Sequence, residues 1–229
     1  MKVKPENKIS QAKPEKTTDK KLAAFKPSGN FLYRDGDNIY FAPRYSHTLF
    51  LSQKTENSSA NAPQNLYLEI ENYLLDMFEV YSATAEKPSF LFLNSYTSPE
   101  KILEILGSDY TDIDDPRDLN KLETTPSIYF SNDENEFLDI LETLIRGRTD
   151  KFDTNNIFVI VDSPEENKIN HLEKIITIAR SRRIYFTVII HDKEAFEKLY
   201  YPETLEIIQS NCRITFDCDE NEILNIKLI

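Results

Sequence analysis

The sequence predicts an α/β fold in which a mostly parallel sheet carries helices on its faces. Three observations predict it. Two apolar runs, Ile157–Val161 and Ile184–Ile190, lack polar alternation, as in strands buried on both faces. Between them Ile169, Leu172, Ile175, Ile176 and Ala179 recur at helical spacing, so the stretch reads strand, crossover helix, strand. The same alternation continues on either side, from a short strand at Ser127–Phe130 to another at Arg213–Phe216.

The other elements follow in chain order. Residues 1–30 are rich in Lys, Pro, Thr and Glu without periodicity and read as a disordered basic arm. Phe31–Phe41 is a hairpin, two short aromatic runs flanking the turn pair Asp35-Gly36, and Ser46–Leu51 extends it. The histidine there, His47, has no visible partner and reads as a surface or turn residue. A polar loop over 52–65 precedes an amphipathic helix over 66–82, with apolar residues at 66, 70, 73, 74, 77, 78 and 81. Ser89–Asn94 fits strand or helix. Ser98, Pro99 and Glu100 open a helix that Gly107 stops. The acidic run Asp109–Asp118 lacks the glycine and terminal glutamate of a calcium loop and reads as a solvated segment. A helix covers Glu134–Arg146. The cluster Arg180, Arg182 and Arg183 suits the negative end of the helix before it. Asp192 caps a helix to Tyr200, and Pro202 opens another to Ser210.

Composition excludes several classes. The chain has 229 residues and a formal net charge of −12, but residues 1–30 carry eight Lys against three acids, a net of +5 that leaves −17 for the remainder. So acidic a body does not fit a duplex-DNA groove, where phosphates must be neutralised. No apolar run approaches the ~18 residues of a membrane helix, and no signal peptide is evident, so the expected location is cytoplasmic. Cys212 and Cys218 are spaced unlike metal ligands and are expected to be reduced.

An Asp ending a buried strand, as Asp162 does, stands where open α/β sheets bind ligands. The wider stretch resembles the type IV secretion coupling proteins, the TraG/TraD-type conjugation ATPases. The resemblance rests on Phe158-Val-Ile-Val-Asp162, Ile169-Asn-His-Leu-Glu-Lys174, Ala179-Arg-Ser-Arg-Arg-Ile184, Asn211-Cys212 before a strand, and Pro126–Asp133. It spans about 65–221 and is specific from Pro126 onward. It implies a RecA-like fold, truncated here: one α/β domain over 31–229 with an N-terminal hairpin and a helical insertion at about 65–122.

The departures from that family bear on function. None of the four glycines precedes a Lys, so no G-x-x-x-x-G-K-[ST] phosphate loop is present. Ser163 stands where the family has the glutamate that polarises water, and His191 stands at the family's glutamine. The resemblance therefore implies a vestigial nucleotide and Mg²⁺ site at Asp162, Ser163 and His191, with no catalytic residue, no metal and no cofactor. Arg180 and Arg182 are the candidates for an arginine acting in trans on a neighbouring subunit.

The leading functional reading is a non-catalytic interaction module of conjugative transfer, partnered by a protein such as an active coupling ATPase. Two alternatives stand beside it. One is an ATPase completed by a partner chain or an atypical phosphate loop, with Glu165 and Glu166 near Asp162. The other is a single-stranded nucleic-acid-binding protein using the basic arm and the hairpin aromatics.

Overall fold

The computed structural model describes residues 14–52, 62–93, 98–148, 155–166, 168–218 and 223–228. Expectations for residues 1–13, for most of the polar loop and for 94–97 lie outside the described residues.

The strands are β1 (Glu15–Thr18), β2 (Phe31–Asp35), β3 (Asn38–Phe41), β4 (His47–Ser52), β5 (Ser89–Leu93), β6 (Thr111–Asp112), β7 (Ser127–Ser131), β8 (Ile157–Asp162), β9 (Ile184–Ile190), β10 (Cys212–Cys218) and β11 (Ile223–Leu228). The helices are α1 (Ala62–Ala83), α2 (Pro99–Leu106), α3 (Lys121–Thr124), α4 (Glu134–Gly147), α5 (Leu172–Ala179), α6 (Lys193–Leu199) and α7 (Pro202–Asn211). Eight strands form one sheet in the order β11-β10-β4-β9-β8-β5-β7-β6. All its pairings are parallel except β10 with β11. This mostly parallel sheet flanked by helices is consistent with a RecA-like fold.

The uninterrupted apolar strands are explained by cover on both faces. Successive side chains alternate across a strand. Phe158 and Ile160 of β8 join one core with Phe90, Phe92, Phe50 and Phe216, closed by Ile70, Leu74, Met77, Phe78 and Tyr81 of α1. Ile157, Val159 and Val161 join the other, with Leu141 and Leu144 of α4, Ile175 and Ile176 of α5, and Ile208 of α7. The first core is rich in aromatic rings, and Phe50 and Phe216 stack at 4.2 Å. The second is mostly aliphatic.

Local signals hold where a cap or turn makes them. The Ser98 Oγ accepts from the Lys101 N–H at 3.2 Å, Asp133 accepts from Asn135 and Glu136 at 2.9 Å, and Asp192 accepts from Ala195 at 3.0 Å. Gly36, at φ 54°, turns the hairpin between β2 and β3.

Four expectations are corrected. Within the basic arm, Glu15–Thr18 pairs with β3 as the edge of a three-stranded sheet, and Asp19–Ala24 is a 3₁₀ turn; an edge strand tolerates Lys and Thr, and Lys16 lies over the Tyr40 ring. The segment expected to extend the hairpin is β4, which leaves the hairpin and pairs in parallel with β9 and β10. The helical insertion is not wholly helical: β5 lies between β8 and β7 in the main sheet, and β6 pairs with β7. His47 is 1% exposed rather than at the surface.

Candidate functional site at the C-terminal ends of β8 and β9

In an open α/β sheet, ligands bind beyond the strand C-termini where neighbouring connections leave in opposite directions. Here the chain leaves β8 toward β9 on one side and leaves β5 toward β6 and β7 on the other, so the C-terminal ends of β8 and β5, beside Asp162, form one such switch point.

Asp162 is 5% exposed. Its Oδ1 lies 2.7 Å from His191 Nε2, and both side chains are buried. The parallel register aligns Asp162 with Ile189, which brings the residue after β9 across to the end of β8. Ser163 follows at φ 49°, a left-handed conformation that costs a non-glycine residue free energy, with its Oγ 3.3 Å from Asp162 Oδ1. Its N–H extends the ladder to the Ile189 carbonyl. The Tyr67 ring, from the first turns of α1, packs on the His191 ring at 4.1 Å.

In the sequence Glu165 stands out only as a nearby acid. In the structure it positions backbone: its Oε1 accepts from the N–H groups of His191 at 2.7 Å and Asp192 at 3.0 Å. Burial pushes its carboxyl up, against the lowering effect of those donors. Tyr200 holds the same loop from the other side. Its hydroxyl accepts from the Ile169 N–H at 2.8 Å and donates to the Pro164 carbonyl at 3.2 Å. The loop after β8 is thus tied to the turn after β9 and to the end of α6. No residue pattern around Tyr200 marks this role in the sequence.

The predicted site residues therefore separate into two groups. Asp162, Ser163 and His191 converge. Arg180 and Arg182 lie at the other edge of the sheet, just before β9 begins, about 20 Å away for a strand of this length. Arg182 donates from Nη1 to the Arg148 carbonyl at 2.7 Å, and Arg180 is exposed.

The residues at this site do not fit the Mg²⁺–nucleotide that a RecA-like fold implies. Mg²⁺ takes oxygen ligands. The strand-end carboxylate of Asp162 is hydrogen-bonded to an imidazole under an aromatic ring, and Ser163, a hydroxyl in place of the water-polarising glutamate, adds no carboxylate beside it. Among the described residues no group of three or more His, Cys, Asp or Glu could hold a metal ion. No helix among them is long and apolar enough to cross a membrane.

No family model and no curated protein matches the sequence. Among solved structures, the chain overlaps a protein described as "ATPase" at TM-score 0.46 and 10% identity, covering 77% of this chain and 69% of that one. It overlaps the DNA-packaging ATPase of Sulfolobus Turreted Icosahedral Virus at TM-score 0.43 and 10% identity, covering 75% and 74%. A Pyrococcus horikoshii protein overlaps at TM-score 0.35 and 11% identity, covering 75% and 81%.

Proposed function

We propose that this chain is a non-catalytic, RecA-like interaction module that has given up nucleotide chemistry for a fixed packing at its sheet edge. The observation that carries the reading is the 2.7 Å contact between buried Asp162 and His191, roofed by Tyr67. A buried carboxylate already hydrogen-bonded to an imidazole is a poor ligand for a hydrated cation, because breaking that bond leaves buried polar groups to be satisfied again. Glu165 and Tyr200 then lock the loop that a nucleotide would need to displace.

The resemblance of the β8–α5–β9 stretch to coupling proteins supports the finer reading. In it the chain serves a conjugation or type IV secretion machinery by binding a protein component, an active ATPase subunit being the partner of matching shape.

Calorimetric titration of ATP with Mg²⁺ tests the proposal, with Asp162→Ala as the control. No heat is expected from either protein. Binding by the wild type that Asp162→Ala removes sinks the reading and restores the ATPase alternative.

A further inference from the structure

Six of the nine arginines of this acidic chain gather at the N-terminal edge of the main sheet: Arg44, Arg148, Arg180, Arg182, Arg183 and Arg213. Three of them are engaged in the fold. Arg148 pairs with Glu123, Arg182 donates to the Arg148 carbonyl, and Arg183 donates to Asn156 Oδ1 at 3.0 Å. The other three are not. Among the described residues Arg44, Arg180 and Arg213 have no hydrogen-bond acceptor and no carboxylate within ion-pair distance of their guanidinium groups.

The topology brings these three together. Strands β9, β4 and β10 are parallel neighbours, so their first residues share one edge. Cys212 aligns with His47, which sets Arg213 beside the chain that enters β4 from Arg44. Asn211 donates to Thr177 Oγ1 at 3.3 Å, which draws the start of β10 to the last turn of α5 and so to Arg180. Arg44 and Arg180 are exposed and Arg213 is partly so. The charges feel one another: burial lowers the Arg213 pKa first, and Arg44 and Arg180 lower it further.

Like charges crowded without a counter-charge raise the free energy of the fold. One local acid would relieve this, yet among the described residues no carboxylate lies within ion-pair distance of these three groups. Three guanidinium groups present more forked donors than a single carboxylate can accept, since one carboxylate saturates one fork. A phosphate offers several oxygens and close to two negative charges.

We propose that Arg44, Arg180 and Arg213 form a phosphate-binding site at the N-terminal edge of β9, β4 and β10, for a free polyphosphate or the phosphate of a single-stranded nucleic acid. The site lies on the opposite edge from Asp162 and does not depend on the reading of that site.

The test is calorimetric titration with sodium tripolyphosphate at fixed ionic strength, and separately with 5′-phosphorylated oligothymidylate. Three proteins are compared: wild type, the triple variant R44Q/R180Q/R213Q, and a control with the same charge loss elsewhere, K101Q/R146Q/K193Q. Tripolyphosphate is expected to bind wild type and the control alike and to lose at least about tenfold in affinity in the triple variant. Arginine-dependent binding of tripolyphosphate alone assigns a free polyphosphate; arginine-dependent binding of oligothymidylate as well assigns a strand. No binding by wild type, or equal loss in both variants, overturns the proposal. The exposed single variants R44Q and R180Q carry the same comparison if the triple variant does not fold. Asp162→Ala is expected to leave the affinity unchanged, which separates this site from the one at the other edge.

Discussion

His47 Nδ1 accepts the backbone N–H of Phe186 at 2.9 Å, across 139 residues of chain. The backbone pairing of β4 with β9 starts one step further on, at Thr48 and Thr187. The imidazole therefore satisfies an amide that the ladder leaves at its edge. Nδ1 can accept only if the ring is neutral with its proton on Nε2, which faces the Ile176 carbonyl without a well-formed bond.

Burial lowers the His47 pKa, the Ile176 carbonyl raises it part of the way back, and Arg180 adds a lesser lowering effect, which together leave it at about 4. The unfolded chain takes up this proton near pH 6.5, the folded chain only near pH 4. Stability is therefore full above about pH 6.5, falls between there and about pH 4, and levels off below. The loss from this residue is about 3 kcal/mol. Urea unfolding at neutral pH and near pH 4 checks it: His47→Gln should show a pH loss smaller by that amount, and equal losses in both proteins would remove His47 as the cause.

Arg148 is expected to be the most sensitive polar position away from the candidate site. It is 2% exposed, pairs with Glu123 at 3.2 Å, and donates to the carbonyls of Arg182, Arg183 and Asn155. It thereby joins the end of α4, α3 and the starts of β8 and β9. Arg148→Met should cost about 3–5 kcal/mol, because Glu123 and three carbonyls lose their donor together. Arg148→Lys should recover little, lacking the fork. Chemical denaturation midpoints decide this, and a loss below about 1 kcal/mol contradicts the assignment.

Gly29→Ala should be severe while Gly36→Ala should be mild. A Cβ at Gly29 would sit 2.1 Å from the Ala42 carbonyl oxygen and 2.7 Å from the Arg44 backbone, neither of which can swing away. At Gly36 it would meet nothing, and only the φ of 54° resists a side chain, at about 1 kcal/mol. In thermal melts the second change should lower Tm by about 2–4 °C, and the first by several times that.

Asp162 and His191 should be coupled in a double-mutant cycle. Removing either partner leaves the other buried without its bond, so Asp162→Asn and His191→Gln are each destabilising and their sum exceeds the double variant's loss by about 0.5–3 kcal/mol. Additive losses would mean that the 2.7 Å contact does not carry the site.

The legible parts of this fold are those specified by near neighbours in sequence. Ile157–Val161, Ile184–Ile190 and the helix between them announce themselves because strands covered on both faces need unbroken apolar runs. Ser98 and Asp192 are readable as caps because their partners lie three residues on. Strand β4 is not legible as a central strand. It follows a hairpin it does not join, and its partners lie far along the chain. His47 and Arg148 escape notice for the same reason, since their hydrogen-bond partners are backbone atoms of distant segments. At the candidate site, Asp162, Ser163 and His191 are visible from the motif, but Glu165 and Tyr200 act on backbone groups that no spacing reveals.

The uneven sharing of rings between the two cores has an optical consequence. The chain has twelve Tyr and no Trp, so its tertiary structure is reported by phenols. Buried Tyr33, Tyr73, Tyr81, Tyr110 and Tyr185 all lie on the α1 side, against Tyr129 and Tyr200 on the other. Near-ultraviolet circular dichroism and tyrosine fluorescence are therefore weighted toward one side of the sheet. Loosening of α4, α5 or α7 alone would leave much of either signal in place, while far-ultraviolet ellipticity would register the lost helix.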